Sequence, residues 1–306
     1  MKRLRRLRAG DRIALVAPAS SFPPEEIAAG AAELQRLGFA PVFEASIFDK
    51  ASFTAGTIQA RVNAIHAAWS DPDVAALIAV RGGYGSAQLL PYLDTDLLRR
   101  ACKALIGYSD ITALLNLYVR NGLNAIHGPM IDRRIAKGAD GYDEASFRAV
   151  LMSDEPLGMF APEQLETLYP GTADGVLMGG TLTQLTASLG TPWAFDPPAG
   201  CVLFIEDVGE RPYRVHRMLT QLAQAGSFER CNAVVFGEFP RCGEPGSTLS
   251  IREVLLEFTR DFRGPVLFNF PSGHTHGATW TLPFGVRVEV TGRPTPSLNI
   301  LEPAVA

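Results

Sequence analysis

A chain of 306 residues, 47% apolar and 20% charged, has the composition of a globular protein with room for two cores of ordinary size. Its net charge of −4 provides no cationic footprint for a polyanion, which argues against nucleic acid as a partner. No apolar run approaches the length that spans a bilayer, so no membrane partner is expected.

The basic start, Met1 to Arg8, resembles the head of a signal peptide, but the apolar run behind it (13–19) is short and set apart by Asp11 and Arg12. The run reads as a first buried strand, 12–18, in an uncleaved cytoplasmic chain. Pro23-Pro-Glu-Glu26 then opens a helix with proline and acid in its first turn, and Gly38 ends it. A strand at 40–43, a helix at 57–69 and a wholly apolar strand at 74–80 follow. The loop Arg81-Gly-Gly-Tyr-Gly85 leads into a helix from Ser86. Next come a strand at 105–107, a helix at 111–120 and a short strand at 124–127. Apolar strands alternating with helices predict a mainly parallel sheet covered on both faces.

The pattern breaks at 154–172 into prolines, glycines and mixed polar residues, and this stretch reads as a linker. It divides an N-terminal α/β domain, 1–153, from a C-terminal mixed α/β domain, 173–306. Strands are expected in the second domain at 175–178, 201–205, 233–236, 266–268 and 286–291, with helices at 181–189, 213–225 and 251–261. Antiparallel character grows toward the end.

The most informative corner is Leu105-Ile-Gly-Tyr-Ser-Asp-Ile111, where a strand meets a helix start. A serine there can lift its hydroxyl above the sheet edge, with Gly107 relieving the crowding. The N–H groups opening the helix can stabilise a developing oxyanion. The familiar elbow reads G-x-S-x-G, whereas Ile111 holds the place of the second glycine. A structural alternative is that Ser109 or Asp110 simply caps the helix. The Gly82-Gly83 loop lies at the same sheet edge. It lacks both G-x-G-x-x-G spacing and the Walker lysine, so it reads as bare backbone lining a pocket or as a plain tight turn.

A nucleophilic serine needs a base, and the base needs an orienting group. Of the five histidines, His66 and His216 fall inside predicted helices, and His127 ends a strand near the same edge. His274 and His276 lie in the glycine-bounded loop Pro271-Ser-Gly-His-Thr-His-Gly277, the kind of segment that carries function. Two histidines two apart hint at a metal, but no third ligand pattern accompanies them, so neither a metal nor a cofactor is expected. Cys201-Val-Leu-Phe-Ile-Glu-Asp207 delivers Glu206 and Asp207 at a strand end, where a buried carboxylate needs a partner. That partner is either a histidine or an arginine such as Arg211 or Arg214. Cys102, Cys201, Cys231 and Cys242 form no C-x-x-C pair and read as reduced thiols, Cys102 and Cys201 behaving as small apolar residues.

Taken together these segments resemble the LD-carboxypeptidase family (serine peptidase family S66), which also includes microcin-immunity hydrolases. The resemblance runs through Leu7 to Pro18, Arg81 to Gly85, Gly107 to Thr112, His127 to Met130 and Gly179 to Thr183. It continues through Phe204 to Gly209, Tyr213 to Leu219, Gly273-His274 and Thr281 to Gly285. Carried over residue by residue, it implies Ser109 as nucleophile, His274 rather than His276 as base, and Glu206 as the orienting acid. It implies an oxyanion hole from the Asp110 N–H and an N–H of Gly82 or Gly83. It further implies an active site in the interdomain cleft and a homodimer. Two departures stand out: Thr181 where asparagine is frequent, and His216 where aspartate is frequent. Neither is expected to touch the triad.

The expected activity is hydrolysis of an amide between an L-centre and a D-amino acid, with murein tetrapeptide losing terminal D-alanine in cell-wall recycling. A rival within the family hydrolyses toxic aminoacyl-nucleotide amides and needs aromatic stacking, for which Trp193 and Trp280 are candidates. A rival of another class is a non-catalytic small-molecule binder. Arg81 and Arg241 are the candidates for gripping a substrate carboxylate.

Overall fold

A computed structural model describes residues 1–306 except 245, 247 and 248. In chain order the elements are β1 (Arg12–Val16), α1 (Glu25–Arg36), β2 (Ala40–Val42), α2 (Ile58–Ser70), β3 (Val74–Ala79), α3 (Thr95–Ala101), β4 (Ala104–Gly107), α4 (Thr112–Arg120), β5 (Ala125–His127) and α5 (Glu144–Met152). There follow β6 (Gly158–Phe160), β7 (Glu166–Tyr169), β8 (Thr172–Thr181), α6 (Leu182–Ser188), β9 (Cys201–Glu206), α7 (Pro212–Gln224), β10 (Cys231–Gly237), α8 (Ile251–Phe258) and β11 (Val266–Phe270). Three strands close the chain: β12 (Leu282–Phe284), β13 (Arg287–Thr291) and β14 (Ser297–Ile300). Among the described residues, no helix is long and apolar enough to cross a membrane.

The chain divides into two compact units. The first comprises Met1–Glu155, Gly277–Gly285 and Pro303–Ala306. Its sheet runs β12-β5-β4-β3-β1-β2, parallel throughout except for β12, which lies antiparallel on β5 with Leu282 opposite His127. All six residues of β3 are buried, as a central strand covered on both faces requires. Helix α2 opens where Thr57 accepts a hydrogen bond from the Ala60 N–H. The helix expected from Ser86 is instead a 3₁₀ turn, Ser86–Tyr92, containing Pro91, which has no N–H to donate. Helices α3 and α5 carry no expectation from the sequence; each is short and is capped by an aspartate, Asp94 and Asp143.

The second unit comprises Pro156–His276 and Val286–Glu302. Its eight-stranded sheet runs β6-β14-β13-β8-β9-β10-β11-β7, with a parallel centre from β8 to β11 and antiparallel strands on either side. The stretch 154–172, expected to be a linker, holds β6 and β7, the two edges of this sheet. Both are short and largely half-exposed, so they leave no apolar run to read. Strand β8 is ten residues long where four were expected. Gly175 and Gly179 interrupt its apolar pattern because a Cβ at either would run into the backbone of Gly200 or of Phe204.

Candidate active site

In the first unit, β4 ends at Gly107 and the chain turns sharply. Ser109 adopts φ +62°, the left-handed region that a residue with a Cβ enters only under constraint. A 3₁₀ turn, Ser109–Ile111, leads straight into α4. A Cβ at position 107 would stand 3.1 Å from the Ile111 Cβ, so Gly107 makes the room that a second glycine makes in the commoner elbow. Helix α4 takes Ile111 as its N-cap, a residue with no side-chain oxygen to accept the first N–H groups.

The Asp110 carboxylate acts elsewhere. Its Oδ2 accepts the Ser86 N–H at 2.7 Å, and the Ser86 hydroxyl donates to the Asp110 carbonyl. The turn after the glycine loop is therefore tied to the elbow by a side chain whose neighbour is Ser109. Burial pushes the Asp110 carboxyl above its ordinary value, against the pull of the Ser86 and Gly85 N–H groups. Arg61, buried on α2, supports the loop from behind by donating to the Pro18 and Gly85 carbonyls at 2.8 and 2.9 Å and to Gln88 Oε1. Arg61 was missed in the sequence because an arginine on a helix normally reads as a solvated face.

Gly82 faces the serine itself. A Cβ there would stand 2.9 Å from Ser109 Cβ and 3.0 Å from its Oγ, so any side chain at 82 would displace the hydroxyl. Gly83, at φ +99°, lies one step on and packs against Ser20, whose hydroxyl accepts the Tyr84 N–H. The neighbouring Arg81 is engaged within its own unit: its Nε lies 3.1 Å from Asp132 Oδ2. Burial pushes Asp132 up to about 6, only partly offset by Arg81. Its folded value exceeds the unfolded one, so the stability it contributes is present in acid and lost as pH rises through 6. Between pH 4 and pH 7, wild type is expected to lose about 2 kcal/mol relative to Asp132→Asn, read as the difference in urea unfolding free energy.

In the second unit, Glu206 ends β9 and is completely buried. Three features hold it. His274 donates to Oε2 twice, from its backbone N–H at 2.9 Å and from Nδ1 at 2.7 Å. Thr181, the register partner of Glu206 at the end of β8, donates its hydroxyl to Oε1. Gly237 and Gly273 leave the space: a Cβ at 237 would come within 2.7 Å of Glu206 Cβ, and one at 273, where φ is +82°, within 2.7 Å of its Cδ. A carboxylate can only accept, so His274 carries its proton on Nδ1 and presents Nε2 as a base. Thr181 thus contacts the acid of the expected triad, contrary to the expectation that this departure lies outside it. The sequence hid this because the two residues are 25 positions apart and meet only through strand pairing.

The choice between histidine and arginine for the strand-end acids is also settled. Arg211 pairs with Glu244 and Arg214 with Glu210, leaving His274 to Glu206. Asp207 accepts the Thr183 N–H and hydroxyl and its neighbour's Val208 N–H. Burial, then the adjacent Glu206 charge, pushes it up to about 6.

The other histidines separate by surroundings. His276 repeats the His274 arrangement one strand over: its N–H and Nδ1 reach Glu238 Oε2 at 2.8 and 2.7 Å, but its side chain is 77% exposed against 18% for His274. His66 accepts the Asp94 N–H and packs against Trp69, and His127 is buried beside Phe284 and Tyr108. His216 sets its ring against Phe258 on the surface of α7. No cluster of metal-ligating side chains occurs among the described residues.

One unit thus holds a serine at a strained strand-to-helix turn, and the other a histidine clamped by a buried carboxylate. The LD-carboxypeptidase N-terminal domain model matches residues 13–128 and the C-terminal domain model residues 174–290, so the chain belongs to the LD-carboxypeptidase family. The murein tetrapeptide carboxypeptidase of Pseudomonas aeruginosa is 33% identical over 92% of this chain and 93% of its own. Among solved structures, the muramoyltetrapeptide carboxypeptidase of Oxalobacter formigenes superposes with a TM-score of 0.84 at 29% identity, covering 95% of this chain and 99% of that one. The microcin C7 self-immunity protein MccF superposes with a TM-score of 0.90 at 25% identity over the whole of both chains.

Proposed function

We propose that this chain is a serine carboxypeptidase that releases terminal D-alanine from murein tetrapeptide, a step of cell-wall recycling in the cytoplasm. The observation that carries the reading is the buried Glu206 clamp on His274, which fixes the tautomer a general base requires. A likeness to relatives named for murein tetrapeptide supports the substrate.

In this reading Ser109 Oγ attacks the carbonyl of the scissile amide while His274 Nε2 takes its proton. Glu206 stabilises the imidazolium and stays ionised. The tetrahedral oxyanion is held by the Asp110 N–H and by an N–H of the Gly82-Gly83 segment. His274 then protonates the leaving D-alanine amine, and water, deprotonated in turn by His274, frees the acyl-enzyme.

Purified protein incubated with murein tetrapeptide is expected to release D-alanine, followed by mass spectrometry. No release from this substrate, with release of the amino acid from an aminoacyl sulfamoyl nucleotide, would replace it with the second reading. That reading is favoured by the TM-score of 0.90 to the microcin C7 self-immunity protein. Inertness toward both would leave a binding protein.

The two clamped histidines give a sharper check. Loss of a general base costs roughly 10²–10⁴-fold, so His274→Ala is expected to lower kcat by that much. His276→Ala, which alters an exposed ring, is expected to keep kcat within a few-fold of wild type. Equal losses would show that the assignment of the base to His274 is wrong.

A further inference from the structure

Cys201 and Cys231 are the first residues of β9 and β10, register partners on neighbouring parallel strands. Both are free thiols, and their Sγ atoms stand 3.3 Å apart, close enough for one S–H to point at the other sulfur. The strand register slips just after Cys231, before Ala233, and such a bulge re-aims a side chain that would otherwise follow the pleat. Paired parallel strands lie about 4.8 Å apart, inside the Cα separations of roughly 4.4–6.8 Å that a disulfide spans. Side-chain rotation therefore suffices to join the two sulfurs.

The pair is also reachable. Cys201 is buried, but Cys231 is half-buried and lines an open cavity of about 470 Å³ together with Phe228, Phe258, Phe262 and Arg263. The Cys231 Sγ also lies 3.0 Å from the Ser227 carbonyl, a second acceptor that its single S–H can take in place of the Cys201 sulfur. The hydrogen bond from Cys231 lowers the Cys201 thiol from its ordinary value, against burial, which favours the nucleophilic thiolate form. Cys102, which belongs to the other unit, and the buried Cys242 provide internal controls.

We propose that Cys201 and Cys231 are an oxidant-reactive dithiol, a modification site at which a peroxide forms an intrachain disulfide. One sulfur takes oxygen from the peroxide, giving a sulfenic acid and water. The second displaces hydroxide from that sulfenic acid, forming the S–S bond and releasing a second water. The bond ties the starts of two central strands, whereas Glu206 stands at the far end of β9. Oxidation is thus expected to stiffen the second unit and leave the catalytic acid in place.

The test treats the full-length protein with hydrogen peroxide in slight excess and counts thiols with Ellman's reagent after denaturation. The expected result is a fall from four thiols to two, a mass loss of about 2 Da, and one cross-linked peptide joining Cys201 to Cys231. Dithiothreitol restores all of these. The Tm should rise by several degrees on oxidation, because the bridge constrains the unfolded chain, and Cys231→Ser should abolish both the bridge and the rise. A bridge through Cys102 or Cys242, stepwise oxidation of Cys231 to the sulfinic acid without a bridge, or four surviving thiols would each overturn the proposal.

Discussion

Ser109→Ala is expected to abolish the release of D-alanine from murein tetrapeptide above a residual roughly 10³–10⁴-fold over the uncatalysed reaction, the share that binding and oxyanion donors supply without a nucleophile. The backbone makes this a prediction about stability as well. Ser109 is held at φ +62°, which costs a residue with a Cβ about 1 kcal/mol or more. Alanine keeps that cost; glycine relieves it. Ser109→Gly should therefore be as inactive as Ser109→Ala, yet unfold at higher urea concentration by an amount equivalent to about 1 kcal/mol, less whatever the freer unfolded chain takes back. Activity and stability move in opposite directions at one residue when its conformation serves chemistry. Wild-type rates in the alanine variant would remove Ser109 as nucleophile, and a glycine variant less stable than the alanine variant by about 0.4–1 kcal/mol, the full cost of the freer unfolded chain, would show that the elbow is unstrained.

The central strands were legible because their burial leaves an unbroken signal: β3, β4, β9 and β10 are apolar runs with both faces covered. The same physics hid the periphery. Strands β6 and β7 lie at sheet edges, with half-exposed residues that look like loop, and β12 is three residues that matter only through pairing with β5. The return of 277–285 to the first unit cannot be read from a local pattern, because the chain crosses between units without a change of composition. At the site, residue types and their places at strand ends made candidates of Ser109, of Glu206 and Asp207, and of the loop holding His274 and His276, and it was the resemblance to the LD-carboxypeptidase family that singled out Ser109, Glu206 and His274. What escaped were contacts between side chains far apart in sequence: Thr181 on Glu206, Asp110 on Ser86, Arg61 on the glycine loop. Each is a polar group whose sequence context has a bland explanation, and only strand register or loop docking selects the partner.

Glu206→Gln separates the charge of the acid from its shape. Oε2 receives two N–H groups from His274, so the position must be filled by the amide oxygen of glutamine. The amide nitrogen then takes the place of Oε1 and faces the Thr181 hydroxyl, which can turn to accept where it had donated. The imidazole accordingly keeps its tautomer and its orientation, and only the negative charge behind the developing imidazolium is lost. A drop in kcat of about 10²-fold with KM little changed is expected, smaller than the roughly 10⁴-fold that follows when an orienting amide forces the wrong tautomer. Thr181 supports this orientation from the other side. In Thr181→Val the buried amide nitrogen has lost the hydroxyl that would accept from it, and that cost works against the orientation the His274 N–H groups favour. The double variant should therefore fall well below the product of the two single effects, a coupling measurable as a double-mutant cycle in kcat. Additive losses would mean that Thr181 does not position Glu206. A loss for Glu206→Gln as large as that for Ser109→Ala would mean that the acid does more than hold and charge-stabilise His274.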